Sequence, residues 1–345
     1  MSRKVNYLDF ASILSAIAVV ILHTNRIFWT FSATERYWVT ANFIDSFFYF
    51  AVPVFFMISG ATLLNFYNRY GIKEFLKKRA FKTLIPYLFW SFFAILFTVY
   101  YLKTTKPQDV TFSYVMTNLL TGRAISIYWF FIPLFCIYLA IPLFAAIKEE
   151  KRKEVFSYIA LVGFILNVII PFINKIFKID LGYSFTVGVV SGYLLWVVLG
   201  YLLHNYELNR RNRCCIYFAG AIGLLLHIFG TYYSSLEVGT VSSLYKGYNN
   251  LPCVLQSVAA FVFIKQISTK LLNHQGVERV VHLLRDYTFS LYLIHYYLID
   301  VFVKELMINE KMIIWRLGGV VPIFIVTILI TYVLRRIKIG KWILP

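Results

Sequence analysis

Long apolar segments, separated by short polar connections, leave this chain few ways to fold. Stretches of roughly 17 to 25 residues with few charges fall near residues 8–30, 44–66, 84–102, 125–147, 155–174, 184–204, 214–233, 251–268, 286–304 and 313–334. Each is long enough to cross a bilayer core, and a segment surrounded by lipid must be helical because its backbone groups find no partners outside itself. With 60% apolar and 14% charged side chains over 345 residues, an ordinary soluble globule is excluded. The expectation is an all-α, polytopic membrane bundle of about ten transmembrane helices, forming a single integral membrane domain over residues 1–345. An even number of spans places both termini on one side.

The net charge of +18 invites a nucleic-acid reading, but the placement of the cations argues for membrane topology instead. Connections on the side of the N-terminus, at 3–4, 69–82, 148–153, 210–213, 265–285 and 335–341, hold 23 of the 34 basic residues. The positive-inside bias makes that side cytoplasmic, so both termini are expected in the cytosol and no nucleic-acid partner is called for. The four cysteines lie in or at the ends of apolar segments without metal-ligand spacing, so no metal site is expected. Seven prolines at 53, 86, 133, 142, 171, 252 and 322 lie in or at the ends of spans, which suits kinked helices around an internal cavity.

Two groups of side chains stand out chemically. His23 lies within the first apolar segment, where an ionisable group is expensive and marks a functional site by default. A neutral imidazole, with an ordinary pKa near ~6.5, is suited to taking a proton from a hydroxyl as it attacks a carbonyl. The second group is Lys78, Arg79 and Lys82, spaced three and four apart in a stretch that reads as an amphipathic helix leading into the third span. Charge alone fits an anionic membrane lipid at this position. A ligand with several phosphates fits as well.

The order of motifs resembles the acyltransferase-3 family of membrane enzymes that acylate surface sugars. Asp9 opens the first helix and His23 follows fourteen residues later. Pro53-Val-Phe-Phe-Met-Ile-Ser-Gly60, Arg79-Ala-Phe-Lys82-Thr-Leu-Ile-Pro86-Tyr87, Trp129-Phe-Phe-Ile-Pro-Leu-Phe-Cys-Ile-Tyr138 with Pro142, and Ser290-Leu-Tyr-Leu-Ile-His295 are similar to its later segments. The likeness is closest to the compact subgroup without a fused extracellular domain. It departs at Ser12, where many members carry a basic residue, and at Tyr128, where many carry histidine before the tryptophan Trp129.

The resemblance implies a membrane-bound O-acyltransferase of a bacterial-type cytoplasmic membrane, with acetyl-CoA as the acyl donor and a surface glycan or lipid-linked sugar as the acceptor. On that footing His23 is the general base and Asp9 its catalytic companion. Lys78, Arg79 and Lys82 would hold the phosphates of coenzyme A. Asp45, Tyr128, Trp129, Asn249 and His295 are candidate acceptor contacts. The competing class is a secondary transporter or flippase for a sugar or lipid-linked sugar, in which His23 and His295 would serve as proton or substrate sites.

Overall fold

The computed structural model describes residues 6–179, 187–190 and 192–345. Arg3, Lys4 and the start of the 184–204 segment lie outside the described residues. No strand occurs among the described residues. The first helices are α1 (Tyr7–Thr24), α2 (Arg36–Phe48), α3 (Ala51–Leu63), α4 (Ile72–Arg79), α5 (Ile85–Leu96) and α6 (Phe112–Thr121). They are followed by α7 (Phe131–Ala145), α8 (Glu149–Phe164), α9 (Ile170–Phe177), α10 (Leu194–Asn205), α11 (Arg210–Leu225) and α12 (Thr231–Val238). The last are α13 (Leu251–Leu271), α14 (Gln275–Leu284), α15 (Thr288–Glu305), α16 (Ile313–Gly318), α17 (Val320–Leu334) and α18 (Gly340–Ile343).

Among the described residues, eight helical stretches are long and apolar enough to cross a membrane: Tyr7–Thr24, Arg36–Asn68, Ile72–Leu102, Ser126–Ala145, Glu149–Phe177, Arg210–Val238, Leu251–Leu271 and Ile313–Leu334. They correspond to eight of the ten apolar segments read from the sequence. The remaining two form helices of a different character. Helix α10 has 12 residues, about 18 Å at 1.5 Å per residue, which is short of a bilayer core. Helix α15 is long enough but carries Asp300, Lys304 and Glu305 toward its end.

Local chemistry explains where the helices start and where they deform. The Asn6 side chain accepts from the Leu8 and Asp9 amides while Asp9 Oδ2 accepts from the Asn6 amide at 3.0 Å, a reciprocal cap that fixes the start of α1. Asn250 caps α13 ahead of Pro252, a proline tolerated in the first turn because that amide has no helical partner. Two of the prolines expected to kink spans, Pro86 and Pro171, instead follow wide π turns at Ala80–Leu84 and Ile165–Ile169. The wider turn accommodates the ring and the missing amide that would disrupt a regular α-helix.

The chain forms two compact units, Met1–Thr62 with Lys148–Ile325 and Leu63–Ile147 with Val326–Pro345. In the first, α1 packs on α13, α15, α2, α14 and α16, and α11 lies along α13. Close backbone approach there depends on small residues, as between helices in lipid generally. A methyl at Gly60 would strike the carbonyl of Val197, one at Gly200 would strike the carbonyl of Met57, and Gly223 sits against Pro252 and Leu255. In the second unit, Trp90 Nε1 donates to the Ile343 carbonyl at 2.9 Å, tying α5 to α18, and Tyr87 donates to the Leu119 carbonyl. The Tyr87 ring packs on Phe131 at 4.9 Å and Phe135 at 5.3 Å.

The paired glycines generate a stability prediction. Gly60→Ala and Gly200→Ala are each expected to lower stability by about 1–3 kcal/mol, the usual cost of overpacking. Gly276→Ala, with open space around it, is expected to be neutral or to gain up to about 1 kcal/mol because alanine is less flexible than glycine in a helix. Thermal unfolding in detergent of the three variants checks the order; equal melting for all three would contradict the close α3–α10 approach.

Candidate functional site

The fixed start of α1 places His23 in its last turn, where α15 runs alongside. The rings of His23 and His295 lie 5.2 Å apart, and Tyr296 approaches His23 edge to face at 5.5 Å. His295 is fully buried. Its Nδ1 lies 2.9 Å from the carbonyl oxygens of both Leu291 and Tyr292. Carbonyls only accept, so Nδ1 carries the hydrogen and Nε2 is left as a lone-pair acceptor. That Nε2 is buried and has no hydrogen-bond partner among the described residues. His23 is half-buried, and its side chain makes no hydrogen bond among the described residues. Two imidazoles therefore stand side by side with acceptor capacity uncommitted, one closed off and one reachable.

The turn that follows His23 is held by charge. Arg26 pairs with Asp300 of α15 and, through Nε at 2.5 Å, with Glu310 in the next connection. A second guanidinium nitrogen reaches the other Glu310 oxygen at 3.4 Å, a two-pronged contact with more directional restraint than a single one. The guanidinium lies 5.8 Å over the Tyr296 ring, which itself contacts His23. Arg316 is buried just beside it and donates to the Tyr37 carbonyl at 3.1 Å and to Thr40 at 2.8 Å. These contacts fix the end of α1 against α2, α15 and α16. Arg26, Glu310 and Arg316 carry no local signal in the sequence, because their partners lie hundreds of residues away.

Asp9 is not brought to His23. Fourteen helical residues separate them, about 21 Å along the axis. Its carboxylate closes the helix cap and lies 3.7 Å from Arg285. Ser12, one turn along, donates to Thr288 at 3.4 Å. The cation near this end of α1 thus comes from Arg285, just ahead of α15.

Asp45 is buried in an ion pair with Lys246, whose ammonium also lies 3.3 Å from His227 Nε2 and is flanked by the Phe28 and Tyr49 rings at 4.5 and 4.8 Å. His227 in turn contacts Gln256, which donates to the carbonyls of Ser46 and Phe47 at 2.8 Å. Asn249 accepts from Trp196 Nε1 at 3.1 Å and donates to the Gly192 carbonyl at 3.2 Å. Both residues join the connection before α13 to neighbouring helices.

Tyr128, Trp129, Lys78, Arg79 and Lys82 belong to the second unit. Tyr128 is fully buried against Phe131; Trp129 is half-buried. Lys78 pairs with Glu74 at 3.6 Å and lies 3.9 Å over the Tyr70 ring. Arg79 leans on Phe75 and Tyr138, with its Nε buried and unpartnered among the described residues. Lys82 is exposed within the Ala80–Leu84 π turn, so the regular three-and-four spacing assumed for the three cations does not run through the cluster. No group of three His, Cys, Asp or Glu side chains able to hold a metal ion occurs among the described residues.

The Asp45–Lys246 pair is testable by breaking it from one side. Lys246→Met leaves a buried carboxylate unpaired and is expected to cost about 3–5 kcal/mol, whereas adding Asp45→Leu should recover most of that loss. Unfolding of the single and double variants separates the two cases; equal destabilisation by both would mean that the pair is not the restraint.

In comparisons with known proteins, a family model described as an acyltransferase domain, Acyl_transf_3, matches residues 5–336, essentially the whole chain. No curated protein and no solved structure matches it significantly.

Proposed function

The chain belongs to the acyltransferase-3 family and is an integral membrane acyltransferase, and from that premise we propose that it moves an acetyl group from acetyl-CoA to a hydroxyl of a surface glycan or lipid-linked sugar, with His23 as general base. The observation that carries this reading is the His23 imidazole, reachable and without a hydrogen bond among the described residues, beside a second imidazole whose Nε2 is also unpartnered. The acceptor oxygen attacks the thioester carbonyl while His23 takes its proton. The carbon–sulfur bond then breaks, and the departing thiolate takes that proton from the imidazolium. An ester and free coenzyme A leave, with no net proton gained or lost.

His295 acts in this reading as a positioning residue. Its Nδ1–H is spent on the backbone, so its buried Nε2 is left as an acceptor facing the neighbouring His23 ring. The donor's phosphates are assigned to Lys78, Arg79 and Lys82. The unpartnered Nε of Arg79 supports this, because a buried guanidinium nitrogen without an acceptor gains most from an oxyanion. The acceptor is expected to arrive from the side opposite the two termini.

Release of free thiol from acetyl-CoA, followed with acceptor present, tests both parts. His23→Ala is expected to lower the rate about 10²–10⁴-fold, the range for losing a general base, without changing thermal unfolding. Neutralising Lys78, Arg79 and Lys82 together should raise KM for acetyl-CoA at least about tenfold, since charge-assisted phosphate contacts contribute ~1.5–3 kcal/mol each, and leave kcat nearly unchanged. Near-normal turnover in folded His23→Ala sinks the catalytic assignment; an unchanged KM in the triple variant sinks the donor assignment alone.

A further inference from the structure

The spans Arg210–Val238 and Leu251–Leu271 run side by side in the first unit, and the first begins where the second ends. Their shared end therefore lies at one face of the membrane. A cavity of about 490 Å³ opens there, bounded by the end of α10, the start of α11 and the last turns of α13. Its lining combines the apolar Leu203, Val262, Phe263 and Ile267 with the charged Arg213, Lys265, Lys270 and Glu207.

The three cations are not equivalent. Lys265 is saturated: it donates to the Leu203 and His204 carbonyls at 3.0 and 3.1 Å and pairs with Glu207 at 2.9 Å, so it serves as the floor. Arg213 spends one guanidinium nitrogen on the Leu208 carbonyl at 2.6 Å. Its other donors, and the Lys270 ammonium, have no partner among the described residues. Phe263 is 53% exposed on a spanning helix, so the apolar part of the lining is within reach of lipid chains.

We propose that this groove holds one anionic phospholipid, its phosphate between Arg213 and Lys270 and its chains along Phe263. Two uncommitted cations at a membrane face attract a phosphate, and the apolar lining within reach of lipid chains selects a phosphate that carries acyl chains over a free nucleotide. The floor connects this site to the helix that bears His23. Lys265 lies 6.0 Å over the Tyr7 ring, and the Tyr7 hydroxyl meets His204 Nδ1 at 2.5 Å, so the groove lies next to the first turn of α1.

The test uses the full chain in nanodiscs of mixed phosphatidylcholine and phosphatidylglycerol, with the lipid retained on the protein counted by native mass spectrometry. Wild type is expected to keep one phosphatidylglycerol in preference to phosphatidylcholine. Arg213→Gln and Lys270→Gln should each reduce that retention roughly fivefold, the equivalent of about 1 kcal/mol for a basic residue at an anionic surface. Lys270 is exposed and makes no bond among the described residues, so its variant tests the site without disturbing the fold. A double Arg210→Gln, Arg211→Gln variant removes two nearby cations outside the groove and should retain the lipid as wild type does. No preference in wild type, or an equal loss in this control pair, overturns the proposal. Displacement of the lipid by coenzyme A or ADP overturns it too, by assigning the groove to a nucleotide.

Discussion

Lipid offers no hydrogen bonds, so every polar group at membrane depth must be satisfied within the protein or left available to a ligand. The end of α1 shows both outcomes within one turn. Arg26 is closed by Asp300 and Glu310, and Arg316 is held by the Tyr37 carbonyl and Thr40, with its Nε left unpartnered among the described residues. His295 is half satisfied, its Nδ1 bound to its own helix and its Nε2 unpartnered. His23, next to both Arg26 and His295, makes no hydrogen bond among the described residues. That contrast is what favours His23 as the proposed base, and the ion pairs of Arg26 hold α1 against α15 around it.

The same rule redistributes residues that look catalytic in the sequence. A carboxylate at the first turn of a spanning helix suggests acid–base chemistry, but Asp9 is used by the helix cap and by Arg285. Asp45 suggests a sugar contact, but it is buried against Lys246. His227, in a wide turn beside that pair, has a ring nitrogen near Lys246 and another near Gln256. Asp9, Asp45 and His227 are thus used to join helices, whereas the His23–His295 pair keeps ring nitrogens without a partner among the described residues.

The all-helical membrane architecture is legible because apolar length alone dictates it. Among the described residues, eight of the ten apolar segments form helices able to cross a bilayer, and the two others differ in length and charge from the rest. Helix α10 is short, and α15 carries three charges near its end, one of which, Asp300, is the partner of Arg26. His23 is legible because an imidazole in an apolar run is rare. Its surroundings are not, since Arg26 meets Asp300 across 274 positions and Lys246 meets Asp45 across 201. Local periodicity carries no information at that range. The spacing of Lys78, Arg79 and Lys82 misleads for a related reason: it assumes 3.6 residues per turn, and the π turn ahead of Pro86 changes the pitch where Lys82 stands.

Base catalysis by His23 depends on the protonation pattern of two neighbouring imidazoles, which nitrogen NMR of histidine-labelled protein in nanodiscs reads directly, with His23→Gln and His295→Gln variants to assign the signals. His295 is expected as a neutral ring protonated at Nδ1 alone, and His23 as a neutral ring whose signals move when acetyl-CoA and acceptor are added, as its proposed role requires. A His295 ring protonated at Nε2, or a His23 ring that is a permanent imidazolium indifferent to both substrates, would contradict it.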